Sequence, residues 1–237
     1  MKLAVLETGA PPGDLDRAYG RYPDMLERLL DLGPLARFDV QRRQWPGAPE
    51  DYDAYLITGS PAGVYDPLPW IGELKAFLQA AKGKTALVGI CFGHQVMAEA
   101  FGGKVVRSPK GWGVGLHDYR VTKAQSWTEG APGFSIPASH QDQVVVRPPQ
   151  AEVMASSAFT PFAGLAYRDQ RAISFQGHPE FEADYAKALL SLRRGSRLPQ
   201  DQADAAIASL GRPNDCARVG GWIRAFLETA ARPTAAH

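Results

Sequence analysis

Only two cysteines, Cys91 and Cys216, occur in the 237 residues. That is too few for a disulfide framework, so the expectation is a protein of a reducing compartment, the cytoplasm. No apolar run approaches the ~20 residues that span a bilayer. The apolar start Leu3-Ala4-Val5-Leu6 stops at Glu7, so neither a membrane partner nor a signal peptide is expected. Charge of one sign is also missing. Twenty-six basic side chains face 25 acidic ones, a net charge of +1, which gives no reason to expect a nucleic-acid partner. Cys and His positions lack zinc-ligand spacing, so no metal is expected. The glycine turns Gly102-Gly103 and Gly111-Trp112-Gly113 lack the phosphate-loop pattern, and no repeat or low-complexity tract is present. What is there is 45% hydrophobic and 22% charged, the composition of a globular protein.

The first two thirds alternate short apolar runs with helical patterns, the signature of a parallel α/β sheet. Strands are expected at Leu3–Leu6, Phe38–Val40, Ala54–Ile57 and Ala86–Gly89. Between them, Met25, Leu26, Leu29 and Leu30 recur at helical spacing up to a stop at Gly33-Pro34. Ile71, Leu74, Leu78 and Ala81 mark a helix from about Pro69, with Gly83 behind it. Val96, Met97, Ala100 and Phe101 form the inward face of another, closed by Gly102-Gly103. From Lys104 to Phe175 the texture becomes strand-like pieces separated by Pro, Gly and Ser, read as antiparallel additions, with a hairpin turning at Asp169-Gln170. A helix from roughly Glu182 to Arg194 ends basic and then at Gly195, as the helix dipole favours. The remaining residues are Ala-rich and helical, able to cap the domain or to form a dimer surface. The fold class is therefore α/β: an open, mostly parallel doubly wound sheet with antiparallel additions and C-terminal helices.

Gly89-Ile90-Cys91-Phe92-Gly93 follows the Ala86 strand directly and has the G-x-nucleophile-x-G form, with cysteine as the central residue. A sharp strand-to-helix turn pushes that side chain into a strained, exposed position, and small flanking residues let the backbone make it. The same turn puts sulfur at a helix N-terminus, where the dipole favours thiolate. Taken alone, Cys91 reads equally well as a small buried residue at a strand end. The second piece is Gly177-His178-Pro179-Glu180, after the strand Ile173-Ser174-Phe175. In extended chain, residues i and i+2 share a side, so His178 and Glu180 can meet, and Pro179 keeps His178 out of helical angles. A carboxylate on one imidazole nitrogen leaves the other facing a nucleophile, the logic of a catalytic triad. Either motif alone has an ordinary structural explanation; the two together point to a cysteine nucleophile.

Gly89 to Gln95 together with Gly177-His178-Pro179-Glu180-Phe181 resembles the class I, or triad, glutamine amidotransferases, over roughly residues 3 to 194. Ile57-Thr58-Gly59-Ser60-Pro61, Gly102-Gly103-Lys104-Val105, Ser139-His140-Gln141-Asp142 and Ala155-Ser156-Ser157 bring the chain nearest to stand-alone members resembling γ-glutamyl peptidases and to the amidotransferase domain of GMP synthase. The resemblance implies a flavodoxin-like sheet over residues 1–195, with 196–237 a helical extension packed on the same domain. It implies Cys91 as nucleophile, His178 as general acid and base, and Glu180 as its orienter. It implies an oxyanion hole from backbone N–H groups at Phe92 and the Gly59-Ser60 turn. Ser60 stands where many members carry a second glycine, which leaves the N–H donor in place and narrows the approach. Gln95 matches a residue that helps hold glutamine. Ser139, His140, Gln141 and Asp142 match the loop for its α-amino and α-carboxylate ends. No cofactor is implied.

The activity implied is hydrolysis of the γ-glutamyl amide bond of glutamine or of a γ-glutamyl compound, through a cysteinyl thioester. Two alternatives stay open: a glutaminase subunit that supplies ammonia to a synthetase chain, and a non-catalytic regulatory protein that keeps the fold. The leaving group, the pathway and the oligomeric state are not encoded in any motif. His94 is expected to support packing, His117 to lie at a strand surface, and Cys216 to be structural. Lys110 and Trp112 are read as a packed strand end.

Overall fold

A computed structural model describes residues 1–230. The first half runs β1 (Leu3–Glu7), α1 (Leu15–Tyr19), α2 (Tyr22–Leu30), β2 (Ala36–Asp39), β3 (Ala54–Ile57), α3 (Pro69–Ala81), β4 (Ala86–Ile90) and α4 (Phe92–Ala100). The strand-rich part is β5 (Lys104–Arg107), β6 (Gly113–Val121), β7 (Gly133–His140), β8 (Asp142–Val146), β9 (Ala151–Ser156), β10 (Gly164–Tyr167) and β11 (Ala172–Phe175). Three helices follow: α5 (Ala183–Arg193), α6 (Gln200–Ser209) and α7 (Cys216–Ala230).

The main sheet has the order β2-β1-β3-β4-β11-β10-β9-β6-β7, and β5 pairs with β8 in a small second sheet. The first five strands in that order are mutually parallel. The other four are antiparallel. The fold is α/β, and β1, β3, β4 and β11 are buried along their whole length, as strands covered on both faces must be. Alternation sends Leu3, Val5, Leu56 and Val88 to one layer, with α2 and α7. Ala4, Leu6, Tyr55 and Leu87 go to the other, with α3 and α4.

The expected strands and helices of the first half are present, with differences at their ends. α2 stops at Leu30, before Gly33-Pro34, because Asp31 takes the left-handed conformation (φ 48°) and donates its N–H back to the last turn; Asp adopts that conformation more readily than most residues. Val40 leaves β2 for a short 3-10 turn. Phe101 is half-buried at the end of α4, edge-on to Tyr167. α7 is a layer of the fold: Val219, Trp222, Ile223, Phe226 and Leu227 are buried against the sheet on the face shared with α2.

The register fixes where chemistry can occur. Ile57 of β3 pairs with Gly89 of β4, and Ile90 of β4 pairs with Phe175 of β11. The three chains therefore leave the sheet side by side at its C-terminal edge, where open α/β sheets place their ligands.

Candidate active site

Cys91 is the hinge between β4 and α4, with φ 54° and ψ −101°. A non-glycine residue in such a region costs on the order of 1–3 kcal/mol and persists only where its surroundings hold it. Here they do. Its N–H donates to the carbonyl of Phe175 at 2.8 Å. A Cβ on Gly89 would lie 2.6 Å from the backbone of Gly93, and one on Gly93 would lie 2.3 Å from the Ile57 carbonyl oxygen. Both flanking glycines are thus required by space, and the cysteine side chain is driven toward the cavity above.

His178 enters from the end of β11, its N–H held by the Pro137 carbonyl at 2.8 Å. Nδ1 of His178 lies 2.7 Å from Oε1 of Glu180, and both side chains are buried. The imidazole shares the cavity wall with Cys91, both side chains facing the Gly59 turn. With Nδ1 committed to the carboxylate, Nε2 is the nitrogen left for sulfur. Complete burial disfavours the imidazolium, yet the electrostatic influence of Cys91 and Glu180, with the hydrogen bond to Glu180, outweighs it and raises the pKa above the ordinary imidazole range. Phe181 lies flat against the ring, with centroids 3.9 Å apart.

The Gly59-Ser60 turn faces this pair. A Cβ on Gly59 would come within 3.1 Å of Cε1 of His178 and 3.8 Å of Cβ of Cys91, so the backbone approaches this closely only as glycine. Thr8 pins the turn from behind, its hydroxyl 2.9 Å from the Thr58 carbonyl and 3.0 Å from that of Gly59. No backbone carbonyl of the described residues accepts from the N–H of Gly59, Ser60 or Phe92. These unused donors beside Cys91 suit a developing oxyanion. The Ser60 hydroxyl is turned into its own loop, accepting from the Ala62 N–H at 3.2 Å.

Two chambers meet at Cys91. One of 230 Å³ is polar and lined by Gln95, Ser139, His140, Gln141 and Asp142 among others. The second, of 430 Å³, contains Gly59, Ser60, Cys91, Ser139 and His178. Gln95 is anchored by its amide nitrogen to the Asp142 carbonyl (2.9 Å) and to Oε1 of Gln176 (3.1 Å). His140 is buried and Nδ1 is 3.1 Å from the Asp142 carbonyl. Burial, chiefly, lowers its pKa to about 3, so the ring is neutral and its contribution is shape. Asp142 accepts from the Tyr65 hydroxyl at 2.9 Å, and burial raises its pKa. Phe92 is buried, its ring against Trp70, so only its backbone faces the site. The residues expected as nucleophile, base, orienter, oxyanion donors and substrate loop thus lie in or directly behind one cavity system.

Two features depart from the sequence reading. Trp112 belongs to the polar chamber wall, beneath the guanidinium of Arg193 at 5.5 Å. Arg193, read as a helix-dipole partner, reaches both chambers and donates to Oγ of Ser139 at 2.6 Å. A basic residue in a last helical turn carries no sequence signal for which way it faces. Lys110 instead caps the carbonyls of Ala158 and Phe159. His94 is fully buried with Nδ1 on Oγ of Ser174 at 2.8 Å, and Cys216 is half-buried beneath Phe181. His117 packs edge-on to Phe159. Among the described residues, no group of three His, Cys, Asp or Glu side chains is arranged to hold a metal ion, and no helix is long and apolar enough to cross a membrane.

Comparison with known proteins places relatives of this chain in one family and fold. The model of the family described as glutamine amidotransferase class-I matches residues 29–191. A glutamine amidotransferase-like protein of Schizosaccharomyces pombe is 28% identical over 90% of this chain and 93% of its own length. γ-Glutamyl peptidase 4 of Arabidopsis thaliana is 30% identical over 82% of both chains. The crystal structure of a glutamine amidotransferase from Thermotoga maritima superposes with a TM-score of 0.74 at 17% identity, covering 98% of this chain and 99% of that one, a likeness of fold.

Proposed function

Because the chain belongs to the class-I glutamine amidotransferase family, we propose that it hydrolyses the γ-glutamyl amide bond of glutamine or a γ-glutamyl compound, with Cys91, His178 and Glu180 as the catalytic triad. The observation that carries this reading is His178 hydrogen-bonded to Glu180 and facing the same cavity as Cys91 beside Gly59, at the ends of adjacent strands. Cys91 attacks the side-chain carbonyl carbon, and the oxygen develops charge against the N–H groups of Phe92 and the Gly59-Ser60 turn. Each such donor is worth ~10²–10³ in rate. The C–N bond breaks as His178 gives its proton to the departing nitrogen, leaving a γ-glutamyl thioester. The neutral imidazole then takes a proton from water, whose oxygen displaces sulfur and releases glutamate. The polar chamber, with Gln95, Ser139, Gln141 and Asp142, holds the glutamyl α-amino and α-carboxylate groups. Two free cysteines fit a reducing, cytosolic setting.

The test is incubation of the purified protein with glutamine, γ-glutamyl dipeptides and glutathione, with released glutamate read by mass spectrometry and Cys91→Ala as blank. Cys91-dependent release without any partner chain supports the reading. Activity that appears only with an added synthetase would assign the protein instead as an ammonia-supplying subunit. Release that is equal in Cys91→Ala would overturn the assigned nucleophile.

A further inference from the structure

The larger chamber, which meets the polar one at Cys91, is far larger than ammonia requires. A water-sized molecule occupies roughly 30 Å³, whereas this chamber measures 430 Å³. Its walls are largely apolar, with Pro12, Tyr22, Leu189 and Leu192, yet Arg193 and Arg197 stand in it. Arg193 is half-buried and its one hydrogen bond goes to Ser139, a neutral hydroxyl. No carboxylate of the described residues pairs with Arg193 or Arg197, whereas the intervening Arg194 holds Asp204 at 2.6 Å. A partly desolvated guanidinium without a counter-charge is costly and leaves most of its five donors unused. Burial lowers the Arg193 pKa, the mark of a cation that lacks compensation. The N–H of Arg197 donates to the Arg193 carbonyl at 3.0 Å, which fixes the two residues one turn apart, and both line this chamber.

We infer that Arg193 and Arg197 form a carboxylate-binding end to the leaving-group chamber, so that the preferred substrates are γ-glutamyl amides whose departing amine carries its own carboxylate: γ-glutamyl α-amino acids and peptides. The inference rests on the hydrolytic reading above and narrows its substrate. The apolar walls receive the side chain of the departing amino acid, and the guanidinium pair receives its carboxylate. Arg193 and Arg197 border both chambers, whereas Arg107 lines the polar one and not the larger one, which leaves the glutamyl α-carboxylate a cation of its own.

The experiment compares kcat/KM for γ-glutamylalanine and γ-glutamylalaninamide, which differ only in the leaving-group carboxylate. Wild-type protein is expected to prefer the acid by roughly 10- to 100-fold, the range for a charge-assisted hydrogen bond. Arg193→Met and Arg197→Met should each reduce that ratio, and Arg197→Lys should restore part of it. Arg197 is exposed, so its variants test the idea even if Arg193→Met folds poorly. A wild-type ratio near one would overturn the inference while leaving the hydrolase reading intact. So would variants that lose the same factor on both compounds, because the pair would then be serving the shared glutamyl carboxylate. Absence of Cys91-dependent cleavage of both compounds and of glutamine would remove the hydrolase reading, and this inference with it.

Discussion

The ring of Phe181 lies parallel to the imidazole of His178, 3.9 Å between centroids and 10° between planes. Phe181 is itself held edge-on by Tyr185 at 4.6 Å. Glu180 fixes the edge of the imidazole while Phe181 fixes its face, so the ring has no free rotation toward or away from Cys91. Phe181→Leu keeps an apolar residue but removes the flat surface. An aromatic pair is worth about 0.5–1.5 kcal/mol beyond its burial. If that energy serves orientation, kcat on the preferred γ-glutamyl substrate should fall about 2- to 10-fold with KM nearly unchanged. A rise in KM at constant kcat would show that Phe181 acts on binding.

Glu180→Gln leaves a neutral partner at the same place. The Cys91 and Glu180 charges both raise the pKa of His178 against the opposing effect of burial, so removing one should lower it. In the proposed mechanism the imidazolium donates the proton that the leaving amine needs. The alkaline limb of the kcat/KM profile should therefore lie above the ordinary imidazole range in the wild type and move down in Glu180→Gln. The pH-optimum rate should drop by ~10²–10⁴, the range for impaired acid–base catalysis. A profile whose alkaline limb stays in place would detach Glu180 from His178.

The proposed triad is legible in the sequence because each half is local. Gly89 to Gly93 turns a strand into a helix within five residues, and His178 and Glu180 are two residues apart, although they meet in a turn closed by the Phe181 N–H on the His178 carbonyl at 3.3 Å and not in the extended chain expected from the sequence. The adjacency of the two halves is not local. It follows from β11 pairing with β4 although 81 residues separate Ile90 from Ala172; the intervening antiparallel strands hide that neighbour from any pattern in the sequence. Arg193 is hidden for a related reason: its direction depends on α5 packing through Tyr185 and Leu189 against Tyr22 and Phe181. The C-terminal residues read only as Ala-rich and helical, and only the tertiary structure says that Val219, Trp222, Ile223, Phe226 and Leu227 of α7 are covered by the sheet.

The two elbow glycines make a stability prediction. A methyl group on Gly93 would stand 2.3 Å from the Ile57 carbonyl oxygen, against backbone that cannot yield without moving β3. Gly93→Ala should destabilise by about 1–3 kcal/mol, as overpacking does, lowering Tm by roughly 3–10 °C for a chain of this size. Gly72 is the control. It sits exposed within α3 with nothing near its missing Cβ, so Gly72→Ala should stabilise by about 0.5–1 kcal/mol through helix propensity. Thermal melts of the two variants that moved in the same direction would contradict the account of the elbow.

His94 lies buried on α4, three residues after Cys91, and it gives the protein an acid sensitivity. The ring is fully buried, and that burial lowers its pKa from 6.5 to about 3, with only a hydrogen bond to the Phe162 backbone opposing. The unfolded chain therefore binds a proton between these values that the folded chain does not. Stability is fully present above the unfolded value and is lost as pH falls toward the folded one. Between pH 7 and pH 5 the loss from this group should be about 2 kcal/mol. His178 is shifted the other way, so its contribution is complete below the ordinary imidazole value and fades only as pH rises beyond it. His140 has the same sign as His94 and remains in any His94 variant. Urea unfolding of wild type and His94→Asn at pH 7 and pH 5 isolates the effect. The variant should start less stable at pH 7 and lose about 2 kcal/mol less on acidification. Equal losses in the two proteins would mean that His94 takes up its proton without unfolding, and that the cavity around Ser174 admits a charge.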